Sequence, residues 1–402
     1  MKNIDLSGIP QRILQNAPTI DDVSIIVGEN GSGKSTLLNS LSKHFLRNGK
    51  NVIAIANSIF DKFDSRHLHF NCLRWRSGRT HSRTILKNAI INMAKADFFV
   101  YKNSLITLEY VGFDAKIGVF INSLSDNYNT LLMGSSLFSS DIDKITYTIE
   151  SYLRRSNSND YYTTNRNTSP VWLDIEDGDY SYSNNYSLTE LFVWEAELKA
   201  IGAIGSIDVF LSKNGESMSM MSASSGELSL ITSIVYVSST ITRDTVIIVD
   251  EPENSLHPKW QKEYVKKLLD LFYRYQPRII IATHSPIIVN GAELLINDLY
   301  VYKIENSNLE LQDKRVVNLE ETFYKFFDLA TPQNRFLSDR LVRLLNVLNN
   351  GKMSFSEFDE EINRIERDSY DEKQKNVLKS VRRMARQVNT NFDNDNNNKI
   401  RE

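Results

Sequence analysis

The feature that most constrains this chain is a glycine-rich loop near its N-terminus. Residues 28–35 read G-x-x-x-x-G-K-S, an apolar run at 23–27 precedes them, and an apolar helical pattern follows. A loop of this composition between a strand and a helix points several backbone N–H groups at one anion. The pattern predicts a nucleoside triphosphate site in which Lys34 reaches the outer phosphates and the Ser35 hydroxyl binds Mg²⁺. We expect the phosphates to contact a contiguous set of residues, namely Gly28, Glu29, Asn30, Gly31, Ser32, Gly33, Lys34, Ser35 and Thr36.

A second constraint lies far along the chain, at a pair of adjacent carboxylates. Asp250 and Glu251 directly follow the apolar run 246–249. Such a run predicts a buried strand, whose carboxyl end would place both side chains beside the phosphates. Asp250 is then a candidate magnesium ligand, and Glu251 is placed to orient or deprotonate an attacking water. The second carboxylate therefore predicts hydrolysis as well as binding.

Two further segments fit the same site. Residues 278–282 predict another buried strand, and His284 follows it at the same sheet edge, within reach of the terminal phosphate. Residues 223–227 read A-S-S-G-E and open a predicted helix, so Ser224, Gly226 and Glu227 form a second candidate anion site. By itself this second segment is explained more simply as a helix cap.

The composition indicates a sizeable core and no general affinity for nucleic acid. Of 402 residues, 41% are hydrophobic and 24% charged, with a net charge of −3. These values are typical of globular proteins and exclude an overall basic surface. The single cysteine, Cys72, excludes an internal disulfide and predicts a reducing, cytoplasmic location. The sequence shows neither a secretory signal nor a bilayer-spanning run, so we expect no membrane partner.

The hydrophobic patterns predict an α/β chain with an insert. Strands alternate with helices before residue 60 and after residue 216, which predicts a mostly parallel sheet covered on both faces. We predict an N-terminal half of the nucleotide-binding head at 1–60, an inserted mixed and helical subdomain at 61–215, a C-terminal half of the head at 216–318, a helical region at 319–388 and a disordered tail at 389–402. The tail is rich in asparagine, a composition typical of disorder.

Together these motifs resemble the ABC-type ATPases, specifically the branch of the SMC, RecF and OLD proteins. The resemblance covers roughly residues 1–60 and 216–300, and its motifs lie at 28–35, 224–227, 250–258 and 282–286. It implies an ABC-type P-loop head with an inserted subdomain and a helical C-terminal region. Within this branch the chain looks like the PtuA-like and OLD-like ATPases of prokaryotic anti-phage defence, which implies ATP and Mg²⁺ as cofactors.

The resemblance implies a role for a second copy of the chain. In this branch two heads sandwich two ATP molecules, so Ser224, Gly226 and Glu227 of one copy would act on the ATP of the other. The turn 253–256 would lie at the seam between the two heads.

The resemblance also implies roles at the sheet edge. Glu251 would be the catalytic carboxylate, Asp250 a magnesium contact through water, and His284 the switch histidine. Many relatives carry glutamine at the end of the second strand, where this chain has Asn57. An asparagine amide offers the same chemistry to the metal with one methylene less reach. This departure predicts hydrolysis that is slow or waits for a partner.

The partners remain open between alternatives. A regulatory ATPase would hold a separate nuclease through the helical region 319–388, because the only Asp-x-Asp set beyond residue 300 lies in the tail at 393–395 and predicts no nuclease on this chain. A RecF-like, ATP-gated DNA clamp would instead use the basic segment from Arg74 to Lys87 against a nucleic-acid backbone. A third alternative is a nucleotide-gated scaffold with negligible turnover.

Overall fold

A computed structural model gives the fold of the chain. It describes residues 9–15, 22–58, 61–74, 84–85, 87–88, 91, 98–157, 169–174, 188, 191–254, 256–305, 308–312, 319–327, 335–367, 375 and 377–386. The predicted disordered tail at 389–402 lies outside the described residues.

The main elements alternate between strands and helices. The strands are β1 (Val23–Val27), β2 (Asn51–Ala56), β3 (Phe70–Arg74), β4 (Lys116–Asn122), β5 (Val171–Asp174), β6 (Ser206–Lys213), β7 (Glu216–Ser219), β8 (Thr245–Asp250), β9 (Arg278–Thr283), β10 (Leu299–Glu305) and β11 (Asn308–Leu311). The helices are α1 (Gln11–Leu14), α2 (Lys34–Arg47), α3 (Phe98–Val111), α4 (Tyr128–Met133), α5 (Ser139–Asn157), α6 (Glu195–Ala200), α7 (Ser225–Thr240), α8 (Pro258–Phe272), α9 (Pro286–Leu295), α10 (Leu319–Phe327), α11 (Arg335–Asn349) and α12 (Phe355–Arg367).

A seven-stranded sheet carries the candidate site. Its strand order is β11-β10-β1-β9-β8-β2-β3, and every neighbouring pair is parallel except β10 with β11. The four strands β1, β9, β8 and β2 are therefore adjacent. The register sets Val27 beside Thr283 and sets Asp250 beside both Ala282 and Ala56. Because these strands are parallel, the loops that follow all four lie side by side at one edge of the sheet.

Both faces of this sheet are buried, as the apolar runs predict. Side chains alternate between faces along a strand. Ile247 and Val249 belong to the larger core, while Ile248 belongs to a second core together with Leu38 and Leu41 of α2. The predicted class, an α/β fold with a mostly parallel and doubly covered sheet, is confirmed.

The middle of the chain forms a second, four-stranded sheet. It is antiparallel, with the order β5-β4-β6-β7. Val119 and Ile207 of this sheet share the larger core with Ile247 of the main sheet. The inserted segment therefore packs on the head through a continuous apolar interior. Strand β3, which lies beyond the predicted boundary at residue 60, joins the main sheet rather than the insert.

The C-terminal helices, which are α11, α12 and the helical residues 377–386, contain a small core of their own, whereas Phe326 of α10 belongs to the larger core of the sheet. Leu341, Phe358 and Leu378 belong to a cluster that is separate from the two cores of the sheet. Arg382 adds polar contacts, since its guanidinium lies 2.8 Å from Asp359 and 2.6 Å from Glu366. Among the helices that the structure describes, none combines the length and apolar composition needed to span a bilayer.

Candidate nucleotide-binding site

The glycine loop has the backbone that an anion-binding loop requires. Gly33 has a φ of 98°, a left-handed conformation that glycine adopts without steric cost, and it caps α2. A Cβ on Gly28 would collide with Ile304, so only glycine lets the loop run close to β10. The first hydrogen bond of α2 runs from Leu37 N to Gly33 O at 2.9 Å. The N–H groups before Leu37 precede the intrahelical ladder, and such groups bind anions at the N-termini of helices.

Lys34 lies inside this loop. Its Nζ donates to the carbonyl oxygens of Gly28 at 2.7 Å and Glu29 at 2.9 Å, and the residue is 5% exposed. Burial lowers the pKa of Lys34, while Glu251 and Asp250 act in the opposite direction. The ammonium group is therefore next to the carboxylates that the sequence assigns to the same site. Ser32 Oγ is buried and has no hydrogen-bond partner among the described residues, which fits a group that meets a phosphate.

The side chains of Asp250, Asn57 and Ser35 fit a hard cation. Neither carboxylate oxygen of Asp250 meets hydrogen-bond geometry with the described residues, although the residue is fully buried, and the Oδ1 of Asn57 is likewise without a partner. Burial raises the pKa of Asp250 to about 6, although the nearby Ser35 hydroxyl acts to lower it. Unsatisfied buried oxygens of this kind require a ligand. Carboxylate, amide and hydroxyl oxygens are those that Mg²⁺ accepts.

The described residues contain no group of three His, Cys, Asp or Glu side chains that would hold a metal by themselves. The side chains that could hold a cation here, those of Asp250, Asn57 and Ser35, contribute one carboxylate, one amide and one hydroxyl. Mg²⁺ bound with a nucleotide keeps several waters and takes further oxygens from the phosphates. The residues therefore fit a cation that arrives with its nucleotide.

Glu251 has an unusual backbone. Its φ is 52°, and a side chain in this left-handed region costs about 1–2 kcal/mol. The N–H of Glu251 donates to Ala282 O at 2.9 Å, and the Nδ2 of Asn254 donates to Glu251 Oε2 at 3.1 Å. These contacts fix both the backbone and the carboxylate. Strain that neighbours hold in this way concentrates at functional sites.

His284 stands beside these carboxylates and remains accessible. Its side chain is 41% exposed, and its Nδ1 lies 2.9 Å from Glu253 Oε1 and 3.8 Å from Glu251 Oε1. The hydrogen bond that His284 donates to Glu253 raises the pKa of His284, against the lowering effect of burial. The structure thus brings Lys34, Asp250, Glu251 and His284 to one edge of the sheet, as the sequence predicts.

The predicted signature segment starts α7 with a complete capping box. Ser224 Oγ accepts from Glu227 N at 3.3 Å, and Glu227 Oε2 accepts from Ser224 N at 2.8 Å. The other oxygen of Glu227 lies 3.1 Å from Lys213 Nζ. Both carboxylate oxygens are thus engaged within the chain, while Ser224 remains exposed and Gly226 is buried. Glu227 therefore holds the start of the helix in place.

Helix α7 and the glycine loop are attached to different strands of the sheet. Helix α7 packs against β2 and β3, whereas the loop follows β1, and β9 and β8 separate β1 from β2. The hydrogen bonds of Ser224 among the described residues are to residues of its own helix, and those of the Lys34 side chain are to Gly28 and Glu29 of the loop.

The two ends of the basic segment, Arg74 and Lys87, are engaged within the chain. Arg74 donates to Asp61 Oδ1 at 3.2 Å and to Phe63 O at 2.6 Å, and Lys87 Nζ lies 2.5 Å from Glu195 Oε2. Both ends of the segment are thus occupied by internal partners. The acids that pair with them lie outside the segment, so the sequence of the segment alone does not reveal these ion pairs. The positions between them at 75–83 lie outside the described residues.

Sequence reasoning assigned no role at the site to Glu253. The turn 253–256 was expected at a dimer seam, yet Glu253 is 8% exposed and lies against His284. Position 255 of this turn lies outside the described residues. The only signal in the sequence is a second acid two residues after Glu251, which does not indicate its partner.

The strand order and the loop define a P-loop nucleoside triphosphatase head. Residues 58–290 match the family model described as "AAA domain, putative AbiEii toxin, Type IV TA system". The match covers more than half of the chain, which therefore belongs to this family of P-loop ATPases.

The chain is also similar to two ATPases of retrons. The chain is 24% identical over 372 residues to "Retron Vc95 probable ATPase" of Vibrio cholerae serotype O1 biovar El Tor, covering 70% of each chain. It is 26% identical over 139 residues to "Retron Ec83 probable ATPase" of Escherichia coli, covering 32% of this chain and 23% of that relative. The chain thus spans well under half of the second relative.

Solved ABC transporter structures also align with the chain. The structure of cbiO1 from Clostridium perfringens, part of the ABC transporter complex cbiONQ, aligns over 76% of this chain and 80% of its own, at 13% identity and a TM-score of 0.25. The fold is therefore assigned from the strand order and the glycine loop, and not from this alignment.

Proposed function

We propose that this chain is a magnesium-dependent ATPase that regulates a separate effector in a retron-type anti-phage defence system. The observation that carries the proposal is the convergence of Lys34, Asp250, Glu251 and His284 at the carboxyl edge of adjacent parallel strands. Membership of the ATPase family and the names of the two retron relatives support the same class.

The chemistry follows from the positions of the chain's own groups. Backbone N–H groups at the start of α2 and the Lys34 ammonium bind the triphosphate and balance its charge. Glu251, held by Asn254 and by Ala282 O, orients and deprotonates the attacking water. His284 contacts the terminal phosphate from the neighbouring strand. Ser35, Asp250 and Asn57 would hold Mg²⁺, which when bound neutralises the charge that develops on the transferred phosphate.

The assembly follows from the two separated anion sites. Ser224 is exposed at the start of α7, Gly226 is buried next to it, and Glu227 holds this turn through the capping box and Lys213. We infer that this helix end meets the ATP of a second copy, so that two heads enclose two nucleotides. ATP then stabilises the closed pair and hydrolysis releases it.

The proposed function also requires a surface on which the effector docks. We infer that the C-terminal helices, which have a core separate from that of the head, form the docking surface for a separate nuclease. Co-expression with a nuclease encoded by a neighbouring gene, followed by affinity purification of this chain, tests the inference. A complex lost on removal of residues 335–402 supports it, and a complex that survives the removal contradicts it.

The RecF-like alternative receives less support from the structure. A DNA clamp needs the cationic groups from Arg74 to Lys87 to face the nucleic acid, and both end residues are engaged with acids of the chain itself. Salt-dependent DNA binding that requires ATP would restore this alternative. A scaffold with negligible turnover would show ATP binding without phosphate release.

Separate substitutions of two lysines on α2 test the nucleotide site. Lys34→Ala removes the ammonium that binds the outer phosphates, and we expect loss of binding of a fluorescent ATP analogue together with loss of phosphate release. Lys43→Ala is the matched control, because Lys43 is also on α2 but pairs with Asp64 at 2.7 Å. Equal loss in both variants, or none in Lys34→Ala, contradicts the assignment.

A further inference from the structure

Glu253 makes two hydrogen bonds to one residue. Its Oε1 accepts from the backbone N of His284 at 2.6 Å and lies 2.9 Å from the Nδ1 of the same residue. Glu253 is 8% exposed, and its Oε2 is buried without a hydrogen-bond partner among the described residues. A buried carboxylate is costly unless its hydrogen bonds compensate. The carboxylate of Glu253 is therefore committed to His284.

This contact determines which ring nitrogen of His284 carries the hydrogen. An ionised carboxylate only accepts hydrogen bonds, so Nδ1 must be the donor in the neutral ring as well as in the charged one. Nε2 is then the atom left to contact another group. At the same time, the hydrogen bond from the backbone N–H of His284 to Glu253 fixes the Cα from which the ring extends. Partners of this kind orient functional histidines in many proteins.

The turn after β8 explains how Glu253 reaches His284. Pro252 is buried and fixes its own φ, so the chain turns directly after Glu251. Asn254, on the other side of Glu253, donates to Glu251. Glu251 and His284 are 3.8 Å apart, too far for a hydrogen bond, so each is held by its own residue of the turn.

We propose that Glu253 is a positioning residue for ATP hydrolysis, which fixes the tautomer and orientation of His284 so that Nε2 faces the terminal phosphate. The proposal rests on the proposed function of His284 at the nucleotide site. Glu253 itself does not touch the nucleotide. The groups that face His284 are Glu253 and Glu251, which favour its charged form, and Lys34, which opposes it.

Two substitutions distinguish the effect of the hydrogen-bond acceptor of Glu253 from the effect of the volume of its side chain. Glu253→Met keeps a similar length and burial but removes the acceptor, whereas Glu253→Gln keeps an amide oxygen that accepts from Nδ1. We expect Glu253→Met to lower kcat by about 10- to 100-fold, the range lost when the partner of a functional histidine is removed, and Glu253→Gln to lose much less. We expect KM for ATP to stay within about twofold, because binding to the loop is unchanged.

Glu293 provides the matched control. It is a buried carboxylate, 7% exposed, on α9. Glu293→Met removes the same charge at the same depth, and we expect kcat to stay near that of the wild type. Equal loss of kcat in Glu253→Met and Glu293→Met would overturn the proposal, since burial alone would then explain both.

A double-mutant cycle tests whether Glu253 acts through His284. In a His284→Ala background, the ring that Glu253 positions is absent. Glu253→Met should therefore cause no further loss of kcat. Losses that multiply in the double variant overturn the proposal, because Glu253 would then act independently of His284.

Nuclear magnetic resonance of the histidine ring nitrogens tests the proposal without turnover. The wild type, free of nucleotide, should show His284 with a protonated Nδ1 and an unprotonated Nε2 at high pH, and Glu253→Met should show a mixture of tautomers. The chain has 6 histidines, and His284→Ala identifies the resonance. Equal tautomers in both proteins overturn the positioning role. A wild type without turnover but with the fixed tautomer overturns the proposed ATPase function instead.

Discussion

At the scale of single residues, the site combines motif residues with contacts between distant parts of the chain. Lys34 and Asp250 were predictable, because the spacing G-x-x-x-x-G-K-S and an apolar run ending in an acid each require a particular local structure. The hydrogen bonds that His284 donates to Glu253 were not, because they join the loops that follow two different strands. The left-handed backbone of Glu251 was equally hidden, since no glycine marks it.

The basic segment yields a prediction at this scale. Arg74→Met should destabilise the protein by about 1–3 kcal/mol, because it leaves the buried carboxylate of Asp61 without this charged donor. Urea unfolding measures the change. Arg154→Met is the control, since Arg154 is 65% exposed and lies 4.0 Å from Glu150 at the surface.

The same variant separates the two candidate functions. If Arg74 faced a nucleic acid, Arg74→Met would weaken salt-dependent DNA binding and leave stability near that of the wild type. We expect the reverse, with reduced stability and unchanged DNA binding.

At the scale of elements, the hydrophobic patterns predicted helices and strands well where they are long. Helix α7 begins at Ser225 and ends at Thr240, as the pattern after the Ser-Ser-Gly-Glu turn predicts. Helix α8 ends at Phe272 and continues as a short 3₁₀ turn over Tyr273–Tyr275. Strand β3 was not predicted to join the main sheet, because its five residues carry little periodicity and its partner, β2, decides its place.

Helices α8 and α9 cross at a single glycine, which gives a prediction. A Cβ on Gly291 would collide with the carbonyl oxygen of Lys262. Gly291→Ala should therefore push the helices apart and cost about 1–3 kcal/mol of stability. Gly134→Ala is the matched control, because the nearest atom to its Cβ is Thr130 O at 3.5 Å. Thermal unfolding should show a clear loss for the first variant and little change for the second.

At the scale of the whole molecule, the two candidate anion sites are the basis of the proposed dimer. The glycine loop follows β1, whereas α7 packs on β2 and β3 at the other side of the carboxylate strand. The two motifs are thus carried by different strands of one sheet, although both were predictable from the sequence. The pattern of a single sequence does not show which surfaces of two chains meet.

A capping serine tests the proposed dimer. In a Glu251→Gln background with MgATP, light scattering should give the mass of a dimer, and Ser224→Arg should return it to a monomer because the bulky cation blocks the helix end. Ser354→Arg is the matched control, since Ser354 forms the same capping box with Glu357 on α12. A dimer that survives Ser224→Arg, or one that both substitutions remove, contradicts the proposed interface.

The central claim is that Glu251 acts on a water beside an ATP held by the loop after β1. Rapid acid quench of protein loaded with radiolabelled MgATP tests it most directly, because it reports the bound nucleotide itself. The account predicts that the wild type converts bound ATP to ADP within its turnover time. Under the same conditions, Glu251→Gln should bind an equal amount and retain it as ATP. Equal conversion of bound ATP by both proteins would contradict the account.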